Sequence, residues 1–333
     1  MASSYLNIHP VDEILSSLAQ EAVQGESAFI ADQIFETIQT SERSGTLLIE
    51  ASRNYTGAGA GQSFERATGS SRVDIAGFDR STAVFKAKIY GAQDSIARED
   101  LEDSQFPGSE EQRLVKKVSR VLKLDRERRA ASLLFSGWTG TTITPATKFD
   151  AAGASPLDYL HSTPLETVFA SAHGIYADSM ILGHGVFRAL SRSNDVRGIA
   201  GHVLAAGSAL ASGNMILTQE ETLSILRAKL GIPNIYVAEA RQDSAVAGAT
   251  SSEGFVWDTE SIWIGILKGS DAITNRNGVK IMPLSAMNFK WKGMEAGQYD
   301  SLDLTRRYVW AEESCIYQVI DSDYGILVND CLT

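Results

Sequence analysis

Apolar residues recur at three- and four-residue spacing in several stretches of the chain, which predicts amphipathic helices. The clearest stretch is 110–135, which follows the start signal Pro107-Gly108-Ser109. A helix of about 26 residues spans roughly 39 Å, which is long for a domain in a chain of this size. Shorter helices are predicted within the first 45 residues, at 165–172, at 186–191 and at 220–230.

Alternating patterns and short apolar runs bounded by turn residues predict strands elsewhere in the chain. Helices and strands mix between 155 and 294, whereas the chain from 289 onwards is rich in strands. The whole pattern therefore predicts an α+β protein. The predicted strands are 46–50, 83–90, 179–183, 234–239, 261–267, 307–310, 316–320 and 325–328.

The apolar pattern disappears between 52 and 80, where Gly, Ser, Thr and Arg dominate. A structureless loop of this length is uncommon inside a compact domain and indicates function or disorder. Because strands are predicted on both sides, we interpret the segment as part of a long two-stranded arm. An isolated hairpin is marginally stable in water, so such an arm needs a surface on which to lie. An ordinary surface loop is the alternative interpretation.

Length, charge and cysteine content limit the classes of protein to which this chain can belong. The 333 residues suggest roughly two domains. Forty-one acidic residues against 30 lysines and arginines give a net charge of −11, whereas proteins that wrap nucleic acid usually carry a basic face. Two cysteines, Cys315 and Cys331, provide no disulfide framework, which fits a reducing cytosol.

Neither a secretory signal nor a membrane span is predicted. The N-terminal residues lack a basic region followed by an apolar one. The stretch 198–219 carries no charge, but it is rich in Gly, Ala and Ser rather than in the large apolar residues that drive insertion. We expect it to be buried or to lie between subunits, and we expect no membrane partner.

The sequence lacks the common catalytic signatures: a P-loop, a nucleophile elbow, an HExxH zinc motif and a CxxC pair. The glycines at 57–61 miss the spacing of a dinucleotide-binding loop. His184 follows a predicted strand, but no nucleophile or ligand lies near it in the sequence, which favours a structural role. The acidic segment 321–325 is interpreted as a turn between strands. We therefore predict no enzymatic activity, no cofactor and no metal site.

Several segments occur along the chain in a characteristic order and spacing. They are 31–38 with 44–49, 85–90 with 94–100, 126–134, 155–159 with 179–183, and 230–240 with Val256-Trp257-Asp258 downstream. In this order the chain resembles the tailed-bacteriophage major capsid protein family, whose fold is shared with encapsulins and the herpesvirus capsid floor. The resemblance covers most of the chain, and none of its segments is a sharp motif by itself.

The resemblance implies a tailed-phage major capsid fold. Its parts would be an N-terminal arm, an extended β-hairpin loop, a peripheral domain containing the long spine helix, and an axial α/β domain. The expected bounds are 1–45 for the arm, 46–95 for the extended loop, 96–150 for the peripheral domain with the spine helix, 151–298 for the axial domain and 299–333 for the C-terminal strands of the peripheral domain.

The implied function is structural: self-assembly, through hexamers and pentamers, into the icosahedral shell of a phage head that encloses double-stranded DNA. The implied partners are further copies of the chain, a portal, a separate scaffolding or decoration protein, and packaged DNA bound without sequence specificity. The expected location is the virion, after assembly in the host cytoplasm. Because each extended loop would lie across a neighbouring subunit, its charged residues are candidates for intersubunit pairs, the alternative for each being a solvated surface charge. These candidates are Glu65, Arg66, Arg72, Asp74, Asp79 and Arg80.

The sequence departs from some members of the family in two ways. Members that weld their subunits by a Lys–Asn bond need a lysine on the extended loop, whereas 54–80 contains none, and only Lys86 and Lys88 lie on the predicted return strand. We therefore expect no covalent cross-linking. The arm begins almost at Met1, so we expect any scaffold to be a separate protein.

Two other interpretations remain open. The first is an encapsulin-like nanocompartment shell with the same fold and an enzyme cargo. The second, of a different class, is a cytosolic α/β enzyme with an unrecognised site, for which His184 and His202 would be the first residues to consider.

Overall fold

The computed structural model describes residues 28–50, 65, 68, 80–103, 107–170, 176–204, 217–245, 250–269, 273–274, 280–282 and 284–333. Helices and strands mix along these residues, so the predicted α+β class is confirmed. Two sheets organise the fold, and the helices pack against them.

The secondary-structure elements have the following bounds. The α-helices are α1 (Ala31–Ile34), α2 (Arg98–Asp103), α3 (Pro107–Ala131), α4 (Pro156–Leu160), α5 (His184–Arg192), α6 (Asn194–Leu204) and α7 (Gln219–Leu230). Wider π-helical segments, Ser132–Ser136 and His161–Ala170, continue α3 and α4. The strands are β1 (Glu36–Gln39), β2 (Ser44–Glu50), β3 (Arg80–Lys86), β4 (Lys88–Ala97), β5 (Thr141–Ile143), β6 (Ser179–Gly183), β7 (Asn234–Ala238), β8 (Arg241–Asp243), β9 (Glu253–Phe255), β10 (Ile262–Gly265), β11 (Ile273–Thr274), β12 (Lys280–Met282), β13 (Ala286–Asp300), β14 (Arg306–Val319) and β15 (Gly325–Val328).

The four-stranded sheet is built around the long hairpin formed by β13 and β14. Its order is β1-β13-β14-β4, with β4 antiparallel to β14 and the short β1 parallel to β13. Three distant stretches of sequence therefore meet in one layer beneath the long helix α3. The apolar residues between α3 and the sheet are Val115, Val118, Leu122, Met294, Ala296, Val309 and Ala311.

Strand β14 corrects the prediction of two separate strands at 307–310 and 316–320. The residues between them include Glu312 and Glu313, which interrupt the apolar pattern. Glu313 nevertheless lies in the interior, only 1% exposed, because arginines of α3 pair with it. A paired charge thus continues a strand where the apolar pattern predicted a break.

The segment 83–90 was predicted as one strand and forms parts of two, β3 and β4. The chain changes partners at Ala87, whose N–H donates to the carbonyl of Arg43 at 2.8 Å and whose own carbonyl accepts from Arg43 Nε at 3.0 Å. Strand β3 pairs with β2, whereas β4 pairs with β14. The break is therefore caused by pairing across distant residues, which alternation alone does not reveal.

The helix around Ala31, near the N-terminal end of the described residues, is shorter than the apolar spacing predicts. Phe29, Ile30, Ile34 and Phe35 have helical spacing and are buried, but α1 contains four residues only. Residues Glu36–Gln39 instead join the edge of the four-stranded sheet. Backbone hydrogen bonds with β13 outweigh local helix propensity here. The other predicted helical stretch, around 11–18, lies outside the described residues.

The helix predicted at 165–172 begins much earlier, at Pro156, and continues as the π-helical segment His161–Ala170. Pro164 lies inside that segment. A proline normally ends a helix because it lacks an N–H and collides with the preceding turn. The wider π-helical turn accommodates the ring, so the sequence signal placed the start too late.

The five-stranded sheet has the order β5-β15-β10-β6-β7. Strands β6, β10 and β15 are buried throughout, which explains their unbroken apolar runs and confirms the strands predicted at 179–183 and 325–328. The rings of Trp138 and Trp263 pack edge to face, with centroids 5.4 Å apart. A Cβ at Gly325 would lie 2.6 Å from Trp138 and 2.7 Å from Trp263, so only glycine admits both rings over β15.

A buried ionic network joins α3 to the four-stranded sheet. Arg126 donates to Glu313 through Nε at 2.6 Å and also through its second terminal nitrogen, and to Asp32 at 2.7 Å. Arg129 donates to the other oxygen of Glu313 at 3.0 Å and stacks on Tyr90 at 3.6 Å. Burial lowers the pKa of Arg126, but Glu313 and Asp32 outweigh burial and hold that pKa above its ordinary value.

Glu127, the neighbouring residue on α3, joins three parts of the chain. Its carboxylate accepts from the backbone N–H of Ala31 and from the indole N–H of Trp257, both at 2.6 Å. The side chain is 1% exposed. Burial raises the pKa of Glu127 to about 7, although both hydrogen bonds lower it. This carboxyl therefore fixes α1 and the residues before β10 to the same turn of the long helix.

The Arg126 network predicts that replacing Arg126 destabilises the fold much more than replacing Arg113, another arginine of α3. Replacing Arg126 with methionine (R126M) leaves Glu313 buried without its main partner, which costs about 3 to 5 kcal/mol. The control is Arg113, whose side chain is 80% exposed and pairs with Glu110. R113M should change the free energy of unfolding by less than about 1 kcal/mol. Denaturant unfolding measures both, and equal effects would contradict the role of the network.

The Glu127 site predicts a pH dependence with a definite sign. Because the folded-state pKa of about 7 lies above the ordinary value of 4.5, the folded protein binds more protons than the unfolded chain between these values. The free energy of unfolding therefore falls from pH 4.5 to pH 7, by up to about 3 kcal/mol from this group. E127Q should remove this contribution, whereas E110Q, on the outer part of α3, should keep it. Denaturant midpoints at pH 5 and pH 8 test this, and parallel profiles for wild type and E127Q would refute it.

Candidate assembly surfaces

The strands that flank the segment 52–80 pair with each other as the predicted two-stranded arm requires, and the arm beyond them stays a prediction. Strands β2 and β3 pair antiparallel from Ser44↔Lys86 to Glu50↔Arg80. The mutual hydrogen bonds of Arg43 and Ala87 close the base of this hairpin. Apart from residues 65 and 68, the connecting segment 51–79 lies outside the described residues. The paired strands show that the two ends of this long segment leave the body together.

An aromatic stack fixes the hairpin to the four-stranded sheet. Phe85 on β3 is buried and stacks on Phe289 of β13, with ring centroids 4.3 Å apart and planes 4° from parallel. Gly45 lies opposite Phe85 in the β2–β3 register. A Cβ on Gly45 would lie 2.8 Å from the tip of the Phe85 ring, so glycine lets the ring pass beneath β2. The hairpin therefore leaves the body in a defined direction.

The other face of β3 is open to solvent. Thr82, Val84 and Lys86 are exposed there, and Val84 is 70% exposed. The side-chain amide of Gln318 donates to the Val84 carbonyl at 3.3 Å, which binds the strand to β14 without covering the valine. This face presents an apolar side chain next to a basic one at the root of the arm.

The six charged candidates on the arm remain predictions. Glu65 is exposed, and Arg80 is the first residue of β3, opposite Glu50. The other four candidates lie outside the described residues; they are Arg66, Arg72, Asp74 and Asp79.

Charges on the long helix are largely engaged within the chain. Besides the buried pairs of Arg126 and Arg129, Lys117 donates to Asp94 of β4 at 2.6 Å. That hydrogen bond holds the pKa of the Asp94 carboxyl below its ordinary value. Arg113 pairs with Glu110 one turn away. The basic character of this helix is thus balanced mostly by its own subunit.

A surface that the sequence patterns did not indicate lies at the turn between β13 and β14, residues 301–305, which we term the leucine tip. Leu302 is fully exposed, and Leu304 is 57% exposed with a left-handed φ of 57°. Asp303 closes the turn by accepting from the Ser301 hydroxyl at 2.5 Å and from the Thr305 N–H at 3.3 Å. Two leucines within a Ser/Asp/Thr turn have no periodicity, so only their exposure and backbone geometry distinguish them.

His184 is the candidate for enzyme chemistry whose surroundings are described. It begins α5, stacks on Phe255 at 4.7 Å, and has Nδ1 4.0 Å from Glu239. Burial lowers the pKa of this imidazole. The charged groups that act on this imidazole are the carboxylate of Glu239 and the guanidinium groups of Arg188 and Arg241. The arrangement fits the structural role predicted for His184, and the side chain of His202 lies outside the described residues.

Metal and thiol chemistry find little support in the described ranges. Within them, no group of three or more His, Cys, Asp or Glu side chains could hold a metal ion. Cys315 and Cys331 are both buried and unbonded to each other, and burial raises the pKa of both thiols, that of Cys331 to about 12. Neither thiol is therefore set up as a nucleophile at neutral pH.

The uncharged stretch 198–219 is described at its ends. It begins within α6, and residues 205–216 lie outside the described ranges. Among the helices that are described, none has the length and apolar character needed to cross a bilayer.

No family model matches the sequence, and no curated protein matches it. Solved structures are similar to it in fold over nearly the whole chain. A phage-related protein from Bordetella bronchiseptica RB50 is 16% identical, with a TM-score of 0.66 over 98% of this chain and 99% of that one. The capsid protein of the cyanophage P-SCSP1u is 12% identical, with a TM-score of 0.54 over 92% and 90% of the two chains. A virus-like particle from Pyrococcus furiosus is 11% identical, with a TM-score of 0.55 over 95% and 98%.

These identities are low, so the likeness establishes the fold. The chain has the fold of phage capsid proteins, as the order of its segments predicted. The expected link to encapsulins and the domain bounds stay predictions.

The contact of Phe85 with Phe289 at the base of the hairpin predicts that alanine destabilises the fold at Gly45 but not at Gly254. G45A places a methyl group against Phe85 and should displace the ring from Phe289, loosening β2 and β3 and costing about 1 to 3 kcal/mol. The matched control is G254A on β9, where a Cβ would meet nothing within 4 Å. Limited proteolysis should cut the hairpin of G45A faster than that of wild type or G254A. Equal cleavage of all three would show that the ring does not fix the arm.

Proposed function

We propose that this chain is a major capsid protein whose copies assemble into the icosahedral shell of a tailed-phage head enclosing double-stranded DNA. The observation that carries the proposal is the nearly full-length agreement with capsid folds, which extends over 92% of this chain and 90% of the cyanophage capsid chain. A structural role also fits the described residues, in which the buried charges of α3 and β14 pair with one another and hold the fold together.

The arm supplies the mechanism of assembly. Two strands that leave the body together and carry a segment of nearly thirty residues need a surface to lie on, and a neighbouring subunit provides it. Repeating one such head-to-tail contact around an axis closes a ring, so hexamers and pentamers follow from a single interface type. The candidate charges on the arm, from Glu65 to Arg80, would then pair across subunits.

The expected partners follow from this role. A portal, a separate scaffolding or decoration protein, and packaged DNA held without sequence-specific contacts would complete the particle, which would be assembled in the host cytoplasm and found in the virion. The net charge of −11 supports weak contact between wall and genome, because a strongly basic wall would bind the phosphates and hinder release of the DNA.

A second candidate is a shell for a cargo other than a genome, such as an enzyme. The likeness to the Pyrococcus furiosus virus-like particle extends over 95% of this chain and is compatible with either kind of shell, so it does not choose between them. The contents of purified particles separate the two functions: nucleic acid resistant to nuclease supports the phage head, and a co-purifying protein cargo supports the compartment.

If the arm is the contact between subunits, a chain without it should fold but should not assemble. Replacing residues 51–79 with Asn-Gly, a two-residue hairpin turn, should leave a folded subunit that forms no shell, because the pairing of β2 with β3 is kept while the reach to a neighbour is removed. Electron microscopy and size-exclusion chromatography measure assembly, and circular dichroism checks the fold. Shells formed by this variant would overturn the role of the arm.

A full-length control separates the arm from its charges. The variant E65S/R66S/R72S/D74S/D79S/R80S keeps the length of the segment and removes the six candidate charges. If these charges form the intersubunit pairs, its shells should assemble poorly and the wild-type shell should weaken with salt. Normal assembly of this variant would rule out the charges and leave the arm itself as the contact.

A further inference from the structure

We propose that the cavity between helix α5 and the loop 149–154 binds a small phosphate monoester, whose phosphate group lies between the guanidinium groups of Arg188 and Arg192. We call this space the arginine cavity. The residues that line it belong to the loop 149–154, to α5 and the two residues that follow it, and to Leu332. The inference goes beyond the proposed shell function and does not depend on it, because the site lies within one copy of the chain.

The arginine cavity has the size of a small-molecule site. Its volume is about 560 Å³, and binding pockets for small molecules typically occupy about 300 to 1,000 Å³. Two kinds of surface line it: the arginines of α5 provide positive charge, and Phe149, Ala189 and Leu332 provide apolar area. Such a lining fits a ligand that has an anionic group and a small apolar body.

The two arginines lie on the exposed side of α5. Val186, Phe187 and Leu190 of this helix are buried in the core. Arg188 and Arg192 are exposed and lie one turn apart. Residues four apart are neighbours on a helix surface, and like charges at this spacing repel each other. A dianion between the two guanidinium groups would therefore remove a repulsion and form charge-assisted hydrogen bonds with both.

Neither arginine is neutralised within the described part of the chain. No carboxylate there forms an ion pair with Arg188 or Arg192, although the whole chain has 41 acidic residues against 30 lysines and arginines. Other arginines do pair inside the subunit, among them Arg126, Arg129 and Arg307. In a chain with an excess of carboxylates, two adjacent unpaired arginines that line one cavity indicate an external anion.

One carboxylate lies in the wall of the cavity, but it is already engaged. Asp150 accepts from the Thr333 hydroxyl at 2.6 Å and from the Thr333 N–H at 3.2 Å. The hydroxyl hydrogen bond holds the pKa of the Asp150 carboxyl below its ordinary value, so this group is ionised at neutral pH. Two guanidinium charges against one carboxylate leave the cavity with a net positive charge.

The loop that forms one wall is held in place before any ligand binds. Phe149 N–H donates to the Cys331 carbonyl at 2.8 Å. Within the loop, Ala154 N–H donates to the Ala151 carbonyl at 3.1 Å. A preformed site loses little conformational entropy on binding, so the ordering cost falls mainly on the two arginine side chains.

The chemistry of the arginines favours a phosphate monoester over other anions. A guanidinium group donates two parallel hydrogen bonds to the oxygens of a phosphate or a carboxylate. A phosphate monoester carries a charge of about −1.5 to −2 at neutral pH and three acceptor oxygens, so one such group can satisfy both arginines. A carboxylate carries a single charge, as does each phosphate of duplex DNA. The monoester therefore matches the charge of the site best, and its organic group would lie along the apolar wall.

The test measures binding of phenyl phosphate to the full-length chain by isothermal titration calorimetry, in a phosphate-free buffer at about pH 7.5, where the ester is a dianion. Wild type should bind phenyl phosphate saturably and more tightly than inorganic phosphate, because the phenyl ring adds apolar contact. R188Q/R192Q should weaken binding by about tenfold or more.

The matched control is R98Q/R113Q, which makes the same change in net charge at two exposed arginines that pair with glutamates of their own helices. Its affinity should stay within about twofold of wild type, because exposed charges outside the cavity are screened by salt. Circular dichroism checks that both double variants fold.

Three results would overturn the site: no saturable binding of phenyl phosphate by wild type, equal binding by R188Q/R192Q, or an equal loss in R98Q/R113Q. A short DNA duplex is titrated in parallel; if it binds and phenyl phosphate does not, the arginines contact nucleic acid and the proposal is wrong. Particle formation is scored separately by electron microscopy. Wild type that binds phenyl phosphate without forming particles keeps the site while the shell function fails, and particles that bind no phenyl phosphate leave the shell function standing without the site.

Discussion

The arrangement of helix and sheet in this chain depends on the ion pairs of the buried Glu313 carboxylate. It lies on β14 and pairs with two arginines of α3, one of which also reaches Asp32 in α1. A buried ion pair contributes little net free energy, but each partner makes the others indispensable, because an unpaired buried charge is very costly. The long helix, the sheet beneath it and the chain that enters from the N-terminal side are therefore held in one register. Glu127 holds Trp257 against the same helix by accepting a hydrogen bond from its indole N–H.

The sequence predicted what depends on local pattern and missed what depends on distant pairing. The apolar runs that became β6 and β15 were predicted because strands covered on both faces contain little else. Arg126 and Glu313 are 187 residues apart, so nothing in the local pattern of either shows that it is buried. The same lack of long-range information divided β14 into two predicted strands and extended the first helix beyond Ile34.

The candidate surfaces likewise differ in whether local sequence pattern or contacts between distant residues reveal them. The arm could be predicted because strand patterns flank a segment with nothing to bury, and the structure pairs those strands. Its exact base could not, because the stack of Phe85 on Phe289 and the space that Gly45 leaves for it join residues far apart in the chain. The leucine tip could not be predicted either, since a turn with two leucines becomes informative only when the φ of Leu304 is known.

The division between strong internal and weak external contacts has a consequence for assembly. Ion pairs that matter for the fold are buried inside the subunit, whereas the charges that remain at the surface interact weakly and are screened by salt. In the proposed shell, a subunit built in this way would keep its shape while its contacts with neighbours form and break. Closed shells require this property, because a subunit bound in the wrong place must be able to leave before the shell closes around it. In the proposed shell, rigidity within one copy and reversibility between copies would thus both follow from where the chain buries its charges.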